Sequence, residues 1–116
     1  MASTSDVLDH HLKCFDEGDV SGILDDYSSD AVLFTTNGKL IGQEALKPLF
    51  QALVTEFAKP GSSFTMQRRD VSGDYAYIVW RAETADNSYE FATDTFVVRD
   101  GKIVAQSFAA KVVPKR

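Results

Sequence analysis

Apolar and polar side chains alternate from residue 91 to 98 (Phe91, Ala92, Thr93, Asp94, Thr95, Phe96, Val97, Val98), the period-two pattern of a β-strand. Asp94 shares its face with Ala92, Phe96 and Val98, so the pattern sends one carboxyl toward an apolar interior. A carboxyl in that position must find a partner or hold a proton. Two readings follow: a buried acid satisfied by its neighbours, or an acid presented to a pocket.

The remaining pattern divides cleanly. Val7, Leu8, Leu12 and Phe15 recur at helical spacing and predict a helix over residues 6–17, capped by Ser5 and stopped by Gly18. His11 lies in the middle of that stripe and His10 at its margin. Asp19 caps a short second helix whose Val20, Ile23, Leu24 and Tyr27 face inward, and Ser28, Ser29 and Asp30 break it. A strand over 31–36, an Asn37-Gly38 turn and a return over 39–41 form a hairpin. Gly42 opens a third helix that runs to about Ala58, with Pro48 forcing a late start or a bend. Strands over 64–71, 76–83 and 89–99 follow, and Asp100-Gly101 turns the chain into a last strand over 102–113. Helices at the front and antiparallel strands behind predict one α+β domain over residues 1–116, a curved antiparallel sheet shaped as a cone and covered by three N-terminal helices. A covered, curved sheet leaves a concave interior suited to a small molecule.

Composition narrows the function classes. A net charge of −5 with scattered basic residues argues against nucleic acid as a partner. No run approaches the ~18 apolar residues of a membrane span, and the polar residues 1–6 lack the pattern of a signal peptide, so the expected location is the cytoplasm. The one cysteine, Cys14, sits in a helix away from any ligand pattern and reads as a small packing residue. The two histidines are adjacent and no cluster has metal-ligand spacing, so no metal or other cofactor is expected. Strand 76–83 is apolar on both faces, which leaves open which face holds Trp80 and predicts a second cover, another subunit of a homodimer.

The order of elements, with Phe15-Asp16-Glu17-Gly18-Asp19, Tyr27-Ser28-Ser29-Asp30-Ala31-Val32, Gly42 and Asp100-Gly101-Lys102-Ile103, resembles the nuclear transport factor two-like superfamily, which includes ketosteroid isomerases and SnoaL-like cyclases. The resemblance runs from about Val7 to Val112 and speaks for the fold more than for a reaction. Set against the ketosteroid isomerases, it puts Asp94 at the protonated acid of the oxyanion hole, His11 at the oxyanion-hole tyrosine and Thr35 at the catalytic aspartate. Thr35 has no proton to exchange near neutral pH, so the isomerase route lacks its base. The resemblance implies a pocket with His11 and Asp94 as a facing catalytic pair. Tyr27, Thr35, Phe50, Trp80, Phe96, Gln106 and Phe108 are the expected substrate-binding residues.

Three functions are weighed on this basis. The first is a cofactor-independent isomerase, cyclase or dehydratase acting on a small apolar carbonyl or phenolic compound. The second is a binding module for a hydrophobic ligand. The third is a dimerising scaffold whose cone is filled.

Overall fold

Ser3, not Ser5, opens the first helix in the computed structural model, which describes residues 2–115. The Ser3 hydroxyl accepts the Asp6 N–H at 3.1 Å and the Asp6 carboxylate accepts the Ser3 N–H at 3.3 Å, a reciprocal cap that Ser5 has no acid placed to complete. Helix α1 (Thr4–Glu17) ends at Gly18, whose φ of 70° takes the left-handed conformation and whose N–H reaches the last carbonyls. Asp19 then caps α2 (Val20–Asp25) by accepting the Gly22 N–H at 2.9 Å.

Tyr27 does not continue α2. It begins β1 (Tyr27–Thr35), and Ser28, Ser29 and Asp30 lie inside that strand rather than in a break. The reason is non-local: Tyr27 pairs with Ile103, and an irregularity between Tyr27 and Val32 absorbs the polar residues. β2 (Gly38–Ile41) returns beside β1, and α3 (Gln43–Ala58) follows with Gly42 as its N-cap. The expected late start does not occur: α3 begins at Gln43, directly after its Gly42 N-cap, and Pro48 falls inside it as the sixth residue. The strands β3 (Ser63–Ser72), β4 (Tyr75–Glu83), β5 (Asn87–Arg99) and β6 (Lys102–Pro114) complete the chain.

The six strands of the described residues form one sheet in the order β2-β1-β6-β5-β4-β3. Neighbours are antiparallel except β1 and β6, which run parallel and are joined by a long crossover through β2, α3, β3, β4 and β5. The expected α+β architecture of helices over a curved sheet is therefore present, with this one parallel seam. Helix α1 is tied across the sheet by the Thr4 hydroxyl, which donates to the Gly73 carbonyl at 2.7 Å, and by Arg69 against Asp9 at 2.7 Å.

The core lies between the helices and the inner sheet face. Ala76, Ile78, Trp80 and Ala82 of β4 and Ala92, Asp94, Phe96 and Val98 of β5 are all buried, which settles the open question about Trp80: its face looks inward. Tyr75, Tyr77, Phe91, Val112 and Val113 remain exposed elsewhere on the sheet. Among the described residues no helix is long and apolar enough to cross a membrane.

Candidate functional site

Alternation along β4, β5 and β6 places three polar side chains together on the inner face. Asp94 pairs with Ile78 on one side and Phe108 on the other, so Trp80 and Gln106 stand one step away diagonally, within reach of its carboxyl. Trp80 Nε1 donates to Asp94 Oδ2 at 2.8 Å and Gln106 Nε2 donates to Oδ1 at 2.9 Å. Gln106 Oε1 in turn accepts the Tyr27 hydroxyl, extending the network to β1. Burial pushes the Asp94 pKa up, against the opposing pull of the Trp80 and Gln106 hydrogen bonds and of His11. Burial also drives the Tyr27 phenol well above its usual range, with the Asp94 and Asp26 carboxylates adding to it.

His11 occupies a cage of aromatic rings. Phe15, Tyr27, Phe50 and Phe96 approach it edge-to-face with centroid distances of 5.2, 5.5, 6.3 and 5.6 Å. The expected facing pair of His11 and Asp94 is not a direct contact: both carboxyl oxygens of Asp94 are taken by Trp80 and Gln106, and His11 Nδ1 lies instead 3.5 Å from Asp26 Oδ2. That separation is close for charges but does not make a well-formed hydrogen bond, and both atoms are buried without one. The other oxygen of Asp26 meets His10 Nδ1 at 2.6 Å.

Most of the expected site residues converge. Tyr27, Phe50 and Phe96 wall His11, while Trp80 and Gln106 hold Asp94, and Phe108 stacks on Trp80 at 6.2 Å. Thr35 stands apart. Its hydroxyl donates to the Gly38 carbonyl at 2.8 Å and accepts the Asn37 N–H at 3.1 Å, which ties it into the β1–β2 turn. The residue missed from sequence is Asp26. Next to Asp25 at the end of α2 it looks like a solvated helix terminus, yet it is only 7% exposed.

Trp80, which donates to Asp94, is itself part of an aromatic stack. Trp80 lies 5.3 Å from Phe64 and 5.6 Å from Tyr89, and Phe64 is exposed on the edge strand β3. Glu56 of α3 braces the same end by accepting from Thr84 at 2.6 Å, Asn87 at 3.0 Å and Tyr89 at 2.9 Å. The apolar gap lined by Val7, Leu8, Ala76, Phe96, Val98 and Ile103 is too narrow for a water molecule. A shallow polar hollow of about 300 Å³ over Ser63, Thr65, Arg81 and Glu83 lies away from these groups. Cys14 is buried, and burial followed by the charge of Asp26 pushes its thiol pKa up, as fits a packing residue. Among the described residues no cluster of His, Cys, Asp and Glu is arranged to hold a metal ion.

The sequence model of the SnoaL-like domain matches residues 8–106, which takes in the helices and the strands through Gln106. The chain belongs to the SnoaL-like family. A search of curated proteins finds no match. Among solved structures it is similar to an NTF2-like protein of unknown function from Mesorhizobium loti, with 26% identity, a TM-score of 0.79, and 93% of this chain and 90% of that one covered. It is similar also to SalBIII, an epoxide hydrolase/cyclase-like enzyme in pyran ring formation in the polyether salinomycin, at 16% identity and a TM-score of 0.79 over 93% of this chain and 90% of that one. A de novo designed protein with a curved β-sheet matches at 17% identity and a TM-score of 0.77, covering 93% and 84%. At such identities the last two speak for the fold alone.

Proposed function

We propose that this SnoaL-like domain takes up a small apolar carbonyl or phenolic compound at Asp94 and acts on it without a cofactor, by isomerisation, ring closure or dehydration. The observation that carries this reading is the buried Asp94 carboxyl, whose hydrogen-bond partners among the described residues are both donors. A protonated Asp94 accepts from Trp80 and Gln106 and still has its own O–H to give, and a ligand oxygen is the acceptor it lacks. Donation to an oxygen that gains negative charge in the transition state lowers the barrier. His11 is the general acid or base, Tyr27, Phe50 and Phe96 form the wall, and Trp80 with Phe108 offers a flat stacking face. Entry displaces Phe64, the exposed outer member of the stack. Ring closure is among the reaction classes because the superfamily that the chain resembles includes SnoaL-like cyclases.

The test is a titration with 2-naphthol, read by the fluorescence of Trp80, the only tryptophan of the chain. Saturable quenching is expected, retained in Asp94→Asn and weakened in Asp94→Ala by ~1–3 kcal/mol, the loss of one buried hydrogen bond. Equal binding by all three proteins, or none by any, removes Asp94 from the site.

The narrow apolar gap favours a second reading, a filled cone that serves to dimerise. The outer sheet face supplies the surface: register aligns Phe34, Ser107, Thr95 and Tyr77 in one row across four strands, with Tyr75 and Phe91 exposed nearby. A second copy of the chain is the occupant, since the same face on two molecules is self-complementary in polarity. Sedimentation at micromolar concentration showing a dimer supports this, and monomer alone refutes it. A dimer is compatible with either reading, whereas naphthol binding separates them.

A further inference from the structure

Among the described residues two buried side-chain polar atoms lack hydrogen bonds, His11 Nδ1 and Asp26 Oδ2, and they lie 3.5 Å from each other. They come from different elements, the middle of α1 and the residue that ends α2. The side chains are 4% and 9% exposed, so water does not compensate either atom, and leaving both unpaired is costly. Closing that gap by a few tenths of an ångström satisfies both at once. Asp26 is held for the task from two directions: His10 Nδ1 binds its other oxygen at 2.6 Å, and its backbone carbonyl accepts the Ile103 N–H at 2.7 Å.

We propose that Asp26 is the positioning residue of the site: it fixes the His11 imidazole as the Nδ1–H tautomer, so that Nε2 carries the lone pair that serves as base. This deepens the function proposed above and rests on it for the chemistry. The ring nitrogens of an imidazole point apart, so an Nδ1–H directed at Asp26 turns Nε2 away from it, into the cage of Phe15, Tyr27, Phe50 and Phe96. In the reaction Nε2 takes a proton from the ligand and the bonding pair stays on the ligand as an enolate or phenolate. Asp94 donates to that oxygen, and the imidazolium keeps its Nδ1–H on Asp26. The arrangement supplies the base that Thr35, held in its turn, does not. His10 is half exposed and closes the outer oxygen of Asp26, which keeps the carboxylate aligned for His11.

Imidazole nitrogen NMR tests this directly, because the chain has two histidines and a His10→Gln variant leaves one. The expected wild-type spectrum shows His11 protonated at Nδ1 with Nε2 bare; His10→Gln, whose side-chain amide can still donate to Asp26 Oδ1, removes the second ring and so assigns the remaining imidazole signals to His11. Asp26→Asn, with Trp80 fluorescence and circular dichroism as checks of folding, shifts His11 toward the Nε2–H form. A wild-type His11 protonated at Nε2 overturns the proposal without need of any variant, as does a folded Asp26→Asn protein with an unchanged His11 spectrum. The outcomes separate from those of the site itself. An Nδ1–H tautomer in a protein that ignores 2-naphthol upholds the Asp26 contact and defeats the ligand reading, whereas naphthol binding with an Nε2–H tautomer defeats only the role of Asp26.

Discussion

Trp80 and Asp94 are joined diagonally across adjacent strands: the indole Nε1 donates to Oδ2 at 2.8 Å, although the register partner of Trp80 is Ala92 and that of Asp94 is Ile78. One bond thus links the acid of the inner face to the aromatic stack above it. Trp80→Phe keeps the ring but removes the donor, and it is expected to lower stability by ~1–2 kcal/mol. Urea denaturation checks this. A stability equal to that of the wild type means the bond contributes nothing net.

Asp94 also sets a pH dependence. Its pKa in the folded protein is raised from the ordinary 3.8, with burial the largest cause, so the folded state keeps the proton to higher pH than the unfolded chain does. Stability from a raised group is fully present below the unfolded pKa and is lost as pH rises through the folded one. Asp94→Asn has no such proton, so the difference in unfolding free energy should move in favour of the variant as pH climbs from 3.8 through the raised value. Denaturant series at several pH values measure it, and a constant difference contradicts the account.

The cap of α1 gives a local test. Ser3→Ala breaks the reciprocal bonds with Asp6 and is expected to cost ~0.5–2 kcal/mol, whereas Ser5→Ala should cost less, because no hydrogen bond is made by its side chain among the described residues. Thermal unfolding of the two variants side by side decides it, and the reverse order sets the helix start back at Ser5.

Much of this was legible in the sequence. The alternation through Asp94 and the stop at Gly18 with the cap at Asp19 reappear as read, because strand faces and helix ends obey local rules. Tyr27 was not legible. Spaced with Val20, Ile23 and Leu24 it fits a helix as well as a strand, and only pairing with Ile103, far along the chain, decides between them. Asp26 was hidden for a similar reason: its burial comes from α2 folding against α1, and nothing in an Asp25-Asp26 pair signals that one of the two is enclosed. Thr35 lies in the first strand as expected, at its last residue, and the turn beside it takes up its hydroxyl.

That use bears on reactivity. The resemblance to the ketosteroid isomerases sets Thr35 at the catalytic base; a threonine bound into the β1–β2 turn supplies no base, and general base help amounts to ~10²–10⁴-fold. Turnover of an unsaturated ketosteroid should be absent or very weak by an absorbance assay. Robust turnover overturns the assignment of Thr35.

The central claim is that Asp94 holds its proton in order to give a hydrogen bond to a ligand oxygen. Carbon NMR of the Asp94 carboxyl, titrated with and without 2-naphthol and assigned by its loss in Asp94→Asn, tests it most directly. The expected result is a midpoint raised above 3.8, with the Asp94 carboxyl still protonated in the free protein at the pH of the 2-naphthol titration, and a change in its signal when 2-naphthol is added. An Asp94 carboxyl already ionised at that pH, or a signal indifferent to 2-naphthol, contradicts it.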